Sequence, residues 1–182
     1  ATDLDGGSAS DTVFAAVSNT APEITRLTIS HEEPEVGDRM VCEISSIDAD
    51  GDDLTTDFLW TGGSTGGVLI VPSGTPGGAV VGCQATVTDE HGTSTSDSAT
   101  VTIINSAPTI EGLRIDTATD FMPGATAECN ATVSDPNGDE LDVSWEWRDA
   151  RSDRVYGEER TLRIPSELEG GTPINCTITA VD

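Results

Sequence analysis

Apolar and polar residues alternate with period two through much of this chain. Met40, Cys42 and Ile44 fall on one face of a first run, and Leu54, Phe58 and Trp60 on one face of the next. Ala79, Val81, Cys83, Ala85 and Val87 share a face of a third run. The same parity returns later in Ala127, Cys129, Ala131 and Val133, in Leu141, Val143, Trp145 and Trp147, and in Ile174, Cys176, Ile178 and Ala180. Alternation of this kind, rich in Thr and Val, predicts strands with one buried face. Glycine pairs at Gly62-Gly63, Gly66-Gly67, Gly77-Gly78 and Gly170-Gly171 mark turns between them. No run carries helical spacing. Short strands every 8–12 residues or so predict an all-β sandwich architecture.

The pattern repeats. Asp48-Ala49-Asp50-Gly51-Asp52-Asp53-Leu54 returns as Asp135-Pro136-Asn137-Gly138-Asp139-Glu140-Leu141. Cys42 recurs as Cys129 and Trp60 as Trp147 at the same spacing, while Asn19-Thr20-Ala21-Pro22 recurs as Asn105-Ser106-Ala107-Pro108. Self-similarity at a fixed period is the mark of tandem units. Residues 21–106 are expected to form a complete unit, and 107–182 one that lacks its final strand. Residues 1–20 copy the second half of the stretch after Cys83 and are expected to be the closing segment of a preceding unit. Within it, Asp11, Thr12, Val13, Phe14, Ala15, Ala16 and Val17 form a candidate donated strand. It would complete an open sandwich either by covalent continuation of a longer chain or from a neighbouring copy, head to tail.

Two cysteines fall on inward faces in each unit. They are expected to pair as Cys42 with Cys83 and Cys129 with Cys176, in preference to four buried thiols. A zinc site is disfavoured because no CxxC spacing occurs. A tryptophan lies 18 residues after the first cysteine of each pair. An inter-sheet disulfide beside an inward tryptophan is the immunoglobulin-type core, and such bridges place the protein in an oxidising compartment.

Charge removes other classes. The 33 Asp and Glu against 8 Arg, with no Lys, leave a formal net charge of −25, which disfavours nucleic acid and anionic membrane surfaces. No run of about 18 apolar residues is present to span a membrane. The opening residues lack the pattern of a signal peptide, as expected for a mature or excised segment. Gly62-Gly63-Ser64-Thr65-Gly66 matches a nucleophile elbow, but the apolar run Val68–Val71 follows where that motif needs a helix. It reads as a glycine hairpin. No carboxylate pair stands out for catalysis, and the chain is expected not to be an enzyme.

With Asn-Thr/Ser-Ala-Pro leading into a first strand, an Asp-rich glycine loop after the second, and a strand ending in Trp, the chain resembles bacterial PKD-like and cadherin-like repeats of the immunoglobulin fold. It departs from antibody domains at Val81 and Ile174, where those domains carry a tyrosine two residues before the second cysteine. The resemblance implies an extracellular or cell-surface stalk, fibre or adhesive scaffold whose partners are adjoining repeats or further copies. It also implies calcium between repeats. The residue types agree: Asp48, Asp50 and Asp52 with Asp89, and Asp135, Asn137 and Asp139 with Asp182, supply the oxygen ligands that a 6–8-coordinate cation takes. Solvated Asp/Asn-Gly turns are the other reading of the same loops. A carbohydrate- or protein-binding accessory module of a larger secreted protein or hydrolase is the alternative function.

Overall fold

The computed structural model describes residues 5, 8–152 and 154–182. They form two β-sandwiches and no helix. The first contains β1 (Glu23–Ile29), β2 (Arg39–Ile47), β3 (Thr55–Trp60), β4 (Val68–Ile70), β5 (Val80–Thr88) and β6 (Ser94–Thr102). One of its sheets is ordered β1-β2-β4 and the other β3-β5-β6, and all pairs are antiparallel. The second contains β7 (Thr109–Thr117), β8 (Thr126–Ser134), β9 (Asp142–Asp149), β10 (Val155–Gly157), β11 (Thr161–Arg163) and β12 (Ile174–Val181). Its sheets run β7-β8-β11 and β10-β9-β12.

The inward parity is as the alternation predicts. Met40, Cys42, Val81, Cys83 and Trp60 are buried in the first core with Val71 and Ile103. Ala127, Cys129, Trp147, Leu162, Ile164 and Ile178 are buried in the second. Side chains alternate across a strand, so one inward residue carries every second neighbour inside with it. Cys42–Cys83 joins β2 to β5, and Cys129–Cys176 joins β8 to β12; each bridge links the two sheets of its sandwich. Beside each bridge lies a fully buried tryptophan. Trp60 donates its indole N–H to the Gly66 carbonyl at 2.8 Å, and Trp147 donates to the Glu159 carbonyl at 2.9 Å. Each large ring thus enters the core without stranding its one polar group. The segment 61–66 is a glycine hairpin closed by Trp60 N donating to the Ser64 carbonyl at 2.8 Å, and it leads into strand β4.

The sandwiches differ at one edge. In the first, β5 pairs with β3 on one side and β6 on the other. In the second, β12 pairs with β9, and among the described residues no strand lies against its other edge. The consequence reaches the facing sheet. Leu27 and Ile29 of β1 pack against the first core, whereas their counterparts Leu113 and Ile115 in β7 are 51 % and 38 % exposed. Residues 11–17 form no strand within this chain and lie exposed.

Candidate functional site

The Asp loop after β2 is shaped by its own first residue. Asp48 Oδ1 accepts the backbone N–H groups of Asp50 and Gly51 at 2.8 and 3.1 Å, and the more distant N–H of Asp52 at 3.4 Å. Short carboxylates favour such self-closing turns. Gly51 sits at φ 84°, a left-handed conformation that a side chain resists. The loop after β8 is built alike: Asp135 Oδ1 accepts from Asn137 N at 2.7 Å and Asp139 N at 3.1 Å, with Gly138 at φ 83°.

The loop after β5 arrives at the same end of the sandwich. Asp89 is 5 % exposed, and its Oδ1 accepts from His91 N and Thr93 N at 2.9 and 2.8 Å. Asp48, Asp52 and Asp89 then present carboxylate oxygens within 4.8 Å of one another, and Asp135, Asp139 and Asp182 do the same in the second sandwich. In both trios the first aspartate holds a buried oxygen, Asp48 Oδ2 or Asp135 Oδ2, that has no hydrogen-bond partner. Three converging carboxylates, one with an orphaned buried oxygen, fit a hard divalent cation. Charge repulsion and an unmet desolvation cost both oppose the bare arrangement.

Asp50 and Asn137 stand apart from these trios and hold the incoming linker instead. Asp50 Oδ2 accepts Thr20 N at 2.6 Å, and Asn137 Oδ1 accepts Ser106 N at 2.7 Å. The linker asparagines reach the opposite loop: Asn19 Nδ2 donates to Asp89 Oδ2 at 2.8 Å, and Asn105 Nδ2 donates to Asp182 Oδ2. Asn137 is 3 % exposed because it is also a clamp between sandwiches. Its Nδ2 donates to the Thr75 carbonyl at 2.7 Å, and Gly74 N donates to the Pro136 carbonyl at 2.9 Å. These anchors, Asn19, Asn105, Ser106 and the loop around Thr75, were not singled out from composition or charge. The recurrence of Asn-Thr/Ser-Ala-Pro ahead of each sandwich is the signal that marks Asn19, Asn105 and Ser106; it does not reach Thr75.

Burial alone would push Asp89 up. The Asn19 side-chain amide and the Thr93 and His91 backbone N–H groups outweigh it and hold the carboxyl below its ordinary value. His91 is raised, first by its 3.0 Å hydrogen bond to Asp52 and then by that carboxylate's charge. A carboxylate with a depressed folded-state pKa stabilises the fold above its unfolded value, about 3.9 for Asp, and loses that contribution as pH falls through the folded value. In chelator, the Asp89 contribution to the first sandwich is therefore expected to be level above about pH 5 and to drop on further acidification, while the contribution of the raised His91 is full below about pH 6.5 and is lost as pH rises through its folded value. Asp89→Asn lowers the plateau and flattens the acid limb. Urea unfolding from pH 2 to 7 checks this, and an Asp89→Asn profile parallel to the parent's would assign the acid response to other carboxylates.

No family model matches the chain, and no characterised protein matches it in sequence. Solved structures resemble it loosely. A carbohydrate-binding module of the β-sandwich superfamily is 15 % identical, with coverage of 89 % of this chain and 92 % of that one and a TM-score of 0.41. The three N-terminal domains of the outer capsid protein Hoc of bacteriophage RB49 are 13 % identical, covering 88 % of this chain and 55 % of that chain, with a TM-score of 0.32. PorU of Porphyromonas gingivalis is 12 % identical over 89 % of this chain and 17 % of its own, with a TM-score of 0.35. This chain thus spans about half the length of the phage protein chain and less than a fifth of PorU. At these identities and scores no ligand or partner transfers. From its own coordinates, the chain is a pair of immunoglobulin-like β-sandwiches, each closed by an inter-sheet disulfide.

Proposed function

We propose that this chain is a non-catalytic structural module of an extracellular or cell-surface stalk or fibre, with sandwiches set end to end and calcium stiffening their junctions. The observation that carries the reading is the repeated docking of a linker onto the loops of the sandwich that follows. Asn19 and Thr20 are held by Asp89 and Asp50, and Asn105 and Ser106 by Asp182 and Asn137. Two pins per linker restrain bending, which suits a load-bearing rod better than a flexible tether. The disulfides support an oxidising, extracellular setting. Asp48, Asp52 and Asp89 would hold one ion and Asp135, Asp139 and Asp182 another; calcium supplies charge neutralisation and a tie between loops. Ligand capture by an aromatic platform finds less support, since Trp60 and Trp147 are spent in the cores.

Calcium titration followed by melting and small-angle scattering tests this reading. Extracellular calcium modules bind in the range of about 0.1–1 mM. At a concentration about 100-fold above Kd, binding should stabilise each sandwich by about 2.7 kcal/mol and stiffen the pair. Asp48→Asn keeps the Oδ1 acceptor of the turn but removes the charge, so it should abolish the response of the first sandwich alone. Equal melting and equal scattering in 10 mM calcium (about 100-fold over a 0.1 mM Kd) and in chelator would overturn calcium stiffening.

A further inference from the structure

The two sandwiches meet through backbone as much as through side chains. Gly74, in the loop after β4, donates its N–H to the Pro136 carbonyl at 2.9 Å, and Asn137 Nδ2 donates to the Thr75 carbonyl at 2.7 Å. The accepting loop is braced from within. Thr75 folds back on Pro72, its N–H and its hydroxyl reaching the Pro72 carbonyl at 3.2 and 2.7 Å. Two glycines admit the close approach. A Cβ on Gly138 would lie 3.6 Å from the Gly74 Cα, and one on Gly77 would lie 2.9 Å from Asn105 Oδ1 and 3.2 Å from the Asn105 Cα. The contact at Gly77 is too tight for a side chain, so the linker runs where only glycine leaves room.

Asn137 serves both bodies at once. Its Oδ1 accepts the linker N–H of Ser106 at 2.7 Å while its Nδ2 reaches across to Thr75, and the residue is buried. A buried amide costs stability unless both of its ends are met, and here both are. Asp50 holds the same loop position in the first sandwich, where its Oδ2 accepts the linker N–H of Thr20 at 2.6 Å. A carboxylate therefore performs the linker half of the task. It cannot perform the other half. An ionised carboxylate has no donor, and it would set its lone pairs against those of the Thr75 carbonyl. The two halves separate on a single group, an oxygen in place of NH2, at nearly constant shape.

We infer that the Asn137 side-chain amide locks the two sandwiches at one fixed angle, and that the lock acts without a cation. A junction held by its linker alone can swing about Asn105 and Ser106. Two bonds between neighbouring residues, Gly74 and Thr75 on one loop and Pro136 and Asn137 on the other, resist twisting as well as bending. Burial of Asn137 keeps water from competing for them. No carboxylate oxygen of Asp135, Asp139 or Asp182 takes part in either bond. The inference goes beyond the calcium reading: the amide sets the direction of the pair, and a cation tightens what motion remains.

Residual dipolar couplings and amide exchange of the 182-residue chain in chelator test the lock. In the parent, one alignment tensor should fit both sandwiches, and the Gly74 amide should exchange slowly. Asn137→Asp should abolish the common alignment and speed Gly74 exchange at least about tenfold. The Ser106 amide should stay protected in the same variant, since its acceptor is kept, and this shows that the loop and linker remain folded. The loss should persist in about 1 M salt, where the screening length is about 3 Å. Alignment restored by salt would assign the loosening to charge repulsion and overturn the role of the donor. Two separate alignments in the parent overturn the inference, as does a common alignment with slow Gly74 exchange in Asn137→Asp. Because every measurement is made in chelator, its failure leaves the calcium junction to be judged by its own titration.

Discussion

Removing the bridge between Cys42 and Cys83, by alanine at both positions, is expected to lower the stability of the first sandwich by about 4 kcal/mol. The two cysteines are 41 residues apart, and closing a loop of that length removes a corresponding chain entropy from the unfolded state. A domain of this size has a total stability of roughly 5–15 kcal/mol, so the loss approaches the whole margin. In a unit of about 85 residues, each kcal/mol shifts Tm by about 4–8 °C, so the melting point should fall by about 16–32 °C. Guanidinium unfolding followed by tryptophan fluorescence checks it. Reduction of the parent protein separates loop entropy from the packing lost with two buried sulfurs, because it opens the loop and keeps the side chains. A decrease below about 1 kcal/mol in both experiments would mean that the sheets hold one another without the staple.

Trp60→Ala is expected to cost the first sandwich about 3–5 kcal/mol. The ring is 1 % exposed and is the largest buried side chain of its core, so its removal leaves a large void that its neighbours fill only in part. Trp60→Phe separates two parts of that cost. It retains much of the ring and deletes the 2.8 Å bond to Gly66 O, leaving a carbonyl unmet at about 1–3 kcal/mol. Calorimetry is expected to resolve the two sandwiches as two transitions. The substitution should move the first by the full amount and the second by less than about 1 kcal/mol, since among the described residues the hydrogen bonds that join the two run through the linker and the clamp of Gly74 and Thr75 with Pro136 and Asn137. Equal displacement of both transitions would instead make the pair one cooperative unit.

Several features could be read along the chain because their causes are local. Inward faces follow from the two-residue period of a strand, so Met40, Cys42, Val81 and Cys83 declared their side without reference to any partner. The Asp48 and Asp135 turns close on backbone groups two to four residues away. Cysteines at matched inward positions pair as expected. The acidic loops were legible only as a group. Charge and spacing named eight oxygen-bearing residues, and the fold sorted them into two trios plus Asp50 and Asn137, which hold linkers. That sorting depends on where Thr20 and Ser106 cross the loops, and on Thr75, 62 residues from Asn137.

Alternation, repetition and self-closing turns were therefore determined by sequence alone, since each arises from geometry within a few residues of backbone. Tertiary structure alone decided which oxygens remain unpartnered and which asparagine clamps two sandwiches. An orphaned oxygen or a clamped amide is a property of what surrounds a group, and those surroundings are assembled from strands far apart in the chain.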